Sequence, residues 1–181
     1  MKFENGAIQP VSTLMADMPA SGIHNGSRLW IINDASPKLY MTTGDANVAN
    51  NAQNTASVSG KVLRFNLDGT IPADNPYPGS PVWTFGHRNP QGLVVANGIM
   101  YTSEHGPSIE DEVNIIERNR NYGWPNVNGP CDEPGEITFC TANNVKPPIW
   151  SRGSSTIAVC GLDYYNNSRI PVWQNCLLML T

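Results

Sequence analysis

Charge is scarce in this chain. Only 14% of its 181 residues are charged, and 11 Lys and Arg against 15 Asp and Glu leave a formal net charge of −4. A nucleic-acid binder presents a basic stripe to the phosphates, and this composition provides none. No run of eighteen apolar residues is present to span a bilayer, and no basic amphipathic stretch would lie on one. The opening MKFENGAIQP has one lysine, an early acid at Glu4 and no apolar centre, so it does not read as a secretory signal. G-x-S-x-G, H-E-x-x-H, the Walker loop and G-x-G-x-x-G are also absent, which sets aside several hydrolase classes and a nicotinamide enzyme on a Rossmann scaffold.

Helical periodicity is nearly missing too. What recurs is a short β-branched or aromatic run followed by a turn signal. RLWIIN (28–33) ends at Asn-Asp, KLYMTTGD (38–45) follows a Ser-Pro, and KVLRFNL (61–67) ends at Asp68-Gly69. LVVA (93–96), Asn97-Gly98 and IMYTSE (99–104) predict a hairpin, because Asn-Gly suits the type I′ turn that matches strand twist. EVNIIE (112–117), VCGLDYY (159–165) and CLLML (176–180) continue the pattern. With 16 Gly and 15 Pro as punctuation, the fold class is all-β, a sandwich, barrel or propeller, in one domain over 1–181.

Two connections are long. Residues 46–60 are rich in Asn, Ala and Ser and read as an exposed loop; residues 126–148 read as a second one. Cys131 and Cys140 stand nine apart inside the latter, without a second C-x-x-C or partner His. That is poor zinc spacing and suits a loop disulfide, which implies an oxidising compartment; four reduced thiols remain the alternative. Cys160 and Cys176 have apolar neighbours and read as buried thiols. Trp30, Trp83, Trp150 and Trp173 read mostly as core.

Three stretches carry chemistry. In SGIHNGSRLW (21–30), His24 sits in a Gly-flanked turn before a strand, where an imidazole is accessible to take a proton. In FGHRNPQGL (85–93), His87, Arg88, Asn89 and Gln91 form a row able to grip a carboxylate- or carbonyl-rich ligand. In SEHGPSIEDEVNII (103–116), Glu104, Glu110, Asp111 and Glu112 fall within nine residues around a Gly-Pro turn that can present backbone carbonyls, the ligand type of a hard cation. Each stretch alone also fits an ordinary surface turn or a solvated acidic loop.

In order, HNGSRL, LYMTTGDA, GKVLRFNLDGTIPADNP, GHRNPQGL, SEHGPSIEDEVNII and NYGWPNV resemble the soluble glucose/sorbosone (aldose sugar) dehydrogenases, quinoproteins that use pyrroloquinoline quinone (PQQ). The resemblance is dense over 21–127. It implies a six-bladed β-propeller with PQQ held over calcium in a cleft. His24 then matches the catalytic base that takes the proton from the sugar C1 hydroxyl. Arg88 and Asn89 match contacts to PQQ, with Arg88 also stabilising charge on the reduced cofactor. Gly106 and Pro107 match carbonyl ligands of the PQQ-associated calcium. Glu112 and the Tyr122 carbonyl match ligands of a second, structural calcium. Ile23 stands where some relatives carry an Asp that orients the base.

A complete six-bladed propeller needs roughly twice this length. The expectation is therefore a central fragment of about three blades, holding the base and the calcium sites but not the whole PQQ pocket, with open edges prone to self-association. The parent protein is expected in the periplasm or outside the cell, with a small sugar as substrate and an electron acceptor the sequence does not identify. An extracellular propeller used only for binding, and a calcium-stabilised β domain without redox activity, are the competing readings.

Overall fold

A computed structural model of the chain describes residues 2–9 and 13–181. β1 (Lys2–Glu4) and β2 (Ala7–Gln9) form a small hairpin. Four strands then build one antiparallel sheet in chain order: β3 (Leu29–Ile32), β4 (Lys38–Thr43), β5 (Lys61–Asn66) and β6 (Val82–Phe85). A second sheet repeats the plan with β7 (Pro90–Ala96), β8 (Ile99–Glu104), β9 (Glu112–Ile115) and β10 (Trp150–Ser151). β11 (Leu162–Tyr165) and β12 (Cys176–Met179) pair as a third, two-stranded sheet. Successive up-and-down meanders of this kind are propeller blades. Their first strands β3, β7 and β11 lie beside one another, as inner strands do around a propeller axis. Among the described residues the chain thus forms two four-stranded blades, a two-stranded part of another, and the β1–β2 hairpin.

The core follows strand alternation. On β5, Val62 faces a cluster with Tyr40, Leu93, Met100, Ile116 and Tyr122 between the two large sheets. Leu63 and Phe65 point the other way, against Val82 and partly buried Leu39, Met41 and Ile71. Burial on both faces explains why apolar residues of this strand, Val62 and Leu63, stand side by side rather than alternating with solvent-facing ones. The β7–β8 hairpin turns at Asn97 (φ 51°) and Gly98 (φ 79°), both left-handed, as the Asn-Gly signal requires.

Four expectations need correction. Residues 46–60 are not simply exposed: Ala52 is fully buried, and Lys61 Nζ donates to the carbonyls of Asn51, Ala52 and Ser59. Residues 126–148 contain a helix, α1 (Pro134–Asn143). It shows no apolar stripe because none of its residues is buried; a proline at its start, the left-handed cap at Asn144 (φ 52°) and the Cys131–Cys140 disulfide define it instead. Trp150 and Trp173 are exposed rather than core, and the free thiols of Cys160 and Cys176 are only partly buried. The disulfide itself is formed as the spacing suggested.

Candidate functional site

The His24 turn is built by close backbone contact. His24 has φ 58°, an uncommon conformation for a non-glycine residue, and its carbonyl accepts the Ala46 N–H at 3.1 Å. Gly44 lies so close beneath that a Cβ there would stand 1.9 Å from the His24 carbonyl oxygen. The imidazole is therefore held at the mouth of the first large sheet, 12% exposed. Its Nδ1 lies 2.9 Å from Asp45 Oδ1. Asp45, 2% exposed, also accepts the Asn47 N–H at 2.8 Å and the Trp124 indole N–H at 2.9 Å. With Asp45 accepting from Nδ1–H, the Nε2 lone pair remains free for a proton. The sequence offered Ile23 where an orienting acid was sought; the fold supplies Asp45 from the end of β4.

The 87–89 turn is shaped by Glu104. This carboxylate, at the end of β8, takes the N–H groups of Arg88 and, at 3.2 Å, Asn89, and pairs with His87 Nδ1 at 2.9 Å. His87 is fully buried, stacked on Tyr122 and bonded to Thr84 Oγ1, so it belongs to the scaffold and not to a ligand-gripping row. Asn89 uses its Oδ1 to accept the Gly26 N–H at 3.1 Å, tying this turn to the His24 turn. Arg88 donates from one guanidinium nitrogen to the His105 carbonyl at 2.9 Å, while its Nε is buried without a partner. Burial pulls the guanidinium below its ordinary value, and the charges of Asp45, Glu104 and Asp111 oppose that pull. His24, Arg88, Asn89 and Gln91 line one polar cleft of about 440 Å³.

The acidic stretch encloses a second, much smaller space of about 20 Å³, room for one ion or water. Gly106, Pro107, Glu112 and Tyr122 all border it, with Arg88, Glu104 and Glu110. Glu112 accepts the Gly129 N–H at 2.8 Å and Asn114 Nδ2–H at 2.9 Å. Enclosure, then the Glu104 charge, push its carboxyl up to about 8, against the pull of those two hydrogen bonds. Asn128 Oδ1 at the same cavity is buried without a partner. Asp111 is instead fully buried in structural bonds, accepting the N–H groups of Gly106, Ile157 and Val159. Among the described residues no cluster of three or more His, Cys, Asp or Glu side chains is arranged to hold a metal, so any cation here would depend on backbone carbonyls as well.

All seven sequence-predicted site residues therefore border two adjoining spaces that share Arg88. Asp45, Glu104 and Trp124 were missed in these roles. Asp45 lay in the quoted TGDA and Trp124 in NYGWPN, but no spacing rule links them to His24.

Comparison with known proteins agrees with this architecture. The family model described as Glucose / Sorbosone dehydrogenase matches residues 1–181. Quinoprotein glucose dehydrogenase B of Acinetobacter calcoaceticus is 43% identical over 145 residues, covering 67% of this chain and 30% of that protein. Aldose sugar dehydrogenase YliI of Escherichia coli (strain K12) is 33% identical over 185 residues, covering 92% of this chain and 48% of that protein. The PQQ-bound aldose sugar dehydrogenase structure from Streptomyces coelicolor superposes with a TM-score of 0.71 at 34% identity, over 82% of this chain and 41% of that one. The chain spans less than half the length of these relatives. With the blade pattern, the ordered motifs and the full-length family match in agreement, the chain belongs to the glucose/sorbosone dehydrogenase family.

Proposed function

We propose that this chain is the central part of a quinoprotein oxidoreductase that oxidises the C1 hydroxyl of an aldose, with His24 as general base. The observation that carries this reading is the His24–Asp45 pair, with Nε2 free, opening into the same cleft as Arg88 and Asn89. As hydride leaves C1, His24 Nε2 takes the hydroxyl proton, and Asp45 holds the ring in the tautomer able to do so. PQQ, when bound, would supply the hydride acceptor, and a calcium ion would supply Lewis acidity to it. Arg88 and Asn89 would hold the cofactor's carboxylates and carbonyls, Arg88 through a guanidinium with a buried nitrogen still unpaired. The carbonyls of Gly106 and Pro107 would serve one calcium, and Glu112 with the Tyr122 carbonyl a second. The unpaired Asn128 Oδ1 and the single-ion volume fit the oxygen-rich demand of that cation. The disulfide accords with a periplasmic or extracellular parent.

The test is titration of PQQ into the calcium-loaded chain, followed by glucose or another aldose, with the cofactor spectrum as readout. Saturable binding with sugar-dependent bleaching, abolished in His24→Ala, is the expected result. Calcium-dependent melting without any PQQ binding, in this chain and in its full-length parent, would overturn the reading in favour of a calcium-stabilised scaffold.

A further inference from the structure

Trp124 borders the small acidic space and touches both Asp45, the partner of His24, and Arg88, which that space shares with the polar cleft. Its indole N–H donates to Asp45 Oδ2 at 2.9 Å, while Oδ1 of the same carboxylate serves His24 Nδ1 and the Asn47 N–H. Its ring carries the Arg88 guanidinium, whose central carbon lies 5.4 Å from the ring centroid. The backbone of Asp45 joins the same unit, donating its N–H to the Arg88 carbonyl at 2.8 Å.

A carboxylate turns readily about its terminal torsion, so its plane is set by its partners. Asp45 has donors on both oxygens and almost no solvent to replace one. The donor on the Oδ2 side is itself braced. The backbone N–H of Trp124 donates to the Gly86 carbonyl at 3.0 Å, and Gln53 Nε2 donates to the Trp124 carbonyl at 2.6 Å. Gln53 is in turn locked to Asn121 by a reciprocal amide pair, at 3.0 and 2.9 Å. The indole is thus a fixed donor, anchored on residues that touch neither His24 nor the cleft.

We propose that Trp124 is a positioning residue for proton transfer: its N–H fixes the Asp45 carboxylate so that His24 keeps its proton on Nδ1, and its ring face seats Arg88 beside that pair. Without the indole N–H, Asp45 is free to rotate off Nδ1. His24 then populates the Nε2–H tautomer, which offers the cleft a donor where a base is needed. This inference rests on the reading of His24 as the base.

The test reads the His24 tautomer by nitrogen NMR in the chain as it stands, at a pH where the ring is neutral. Trp124→Phe keeps an aromatic face for Arg88 and removes the N–H. Benzothienylalanine at position 124 keeps the whole bicycle without the N–H, and stands in if the Phe variant fails to give a native circular dichroism spectrum. Either should shift the tautomer ratio by about tenfold toward Nε2–H, the effect of losing one hydrogen bond to a charged group. Asp45→Ala should produce the same shift. If Asp45→Ala shifts the ratio and the position-124 variants do not, the Trp124 inference is overturned while the His24–Asp45 pairing stands. If Asp45→Ala leaves the ratio unchanged, the pairing itself fails, and with it the role assigned to Trp124.

Discussion

Glu112 sits in a cavity with Glu104 and Glu110, and in the absence of a cation its carboxyl is pushed up to about 8, from an ordinary 4.5. Between those two values the folded chain holds a proton that the unfolded chain has released. Stability without a cation therefore falls as pH rises through this window, by at most about 1.4 kcal/mol per pH unit. Because the mostly enclosed Glu112 keeps some exposure to solvent, about 1 to 2 kcal/mol between pH 6 and pH 8 is the expected size. Glu112→Gln abolishes this component together with its interaction with Glu104, so the difference between the two proteins separates this pair from the rest of the titrating groups. Calcium reverses the sign, since it binds the charged carboxylate: its apparent affinity should rise by up to about tenfold per pH unit until the carboxyl is fully ionised. Urea unfolding of both proteins across the window, in EDTA and in calcium chloride, measures all of this. A wild-type curve in EDTA that stays parallel to the Gln variant would refute the buried-carboxylate argument. Calcium affinity independent of pH would remove Glu112 from the ligand set.

Two further substitutions probe the scaffold. Lys61 is fully buried, and burial pulls its ammonium down to about 7, yet its three donors satisfy the carbonyls of Asn51, Ala52 and Ser59 at 2.7, 3.0 and 2.6 Å. Lys61→Met orphans those carbonyls and should lower unfolding free energy by about 3 kcal/mol, read as a lower urea midpoint at constant slope; an unmoved midpoint would mean that water replaces the ammonium. Gly44→Ala places a Cβ against the His24 carbonyl, a backbone group that cannot yield without moving the His24 side chain. It should remove sugar-dependent bleaching while PQQ binding through Arg88 and Asn89 persists, and bleaching at the wild-type rate would show that the turn tolerates the displacement.

The strands, the Asn97–Gly98 hairpin and the site stretches were legible in the chain because each depends on neighbours a few residues away: alternation for a strand, left-handed φ for a turn, a local run of carboxylates around Gly-Pro. Helix α1 was not, because its stability comes from caps and a disulfide rather than from an apolar face that leaves a periodic trace. Glu104 shows the same limit from the other side. By sequence it is one of four clustered acids, yet the pairing of β7 with β8 turns it onto the backbone of Arg88 and Asn89. Sequence alone established an all-β strand pattern and singled out His24, the Arg88–Asn89 pair and the Gly106-Pro107 turn as candidates. Only the tertiary structure brought Asp45 to His24 from 21 residues away and Trp124 to Asp45 from 79, because such contacts are set by how sheets pack and not by spacing along the chain.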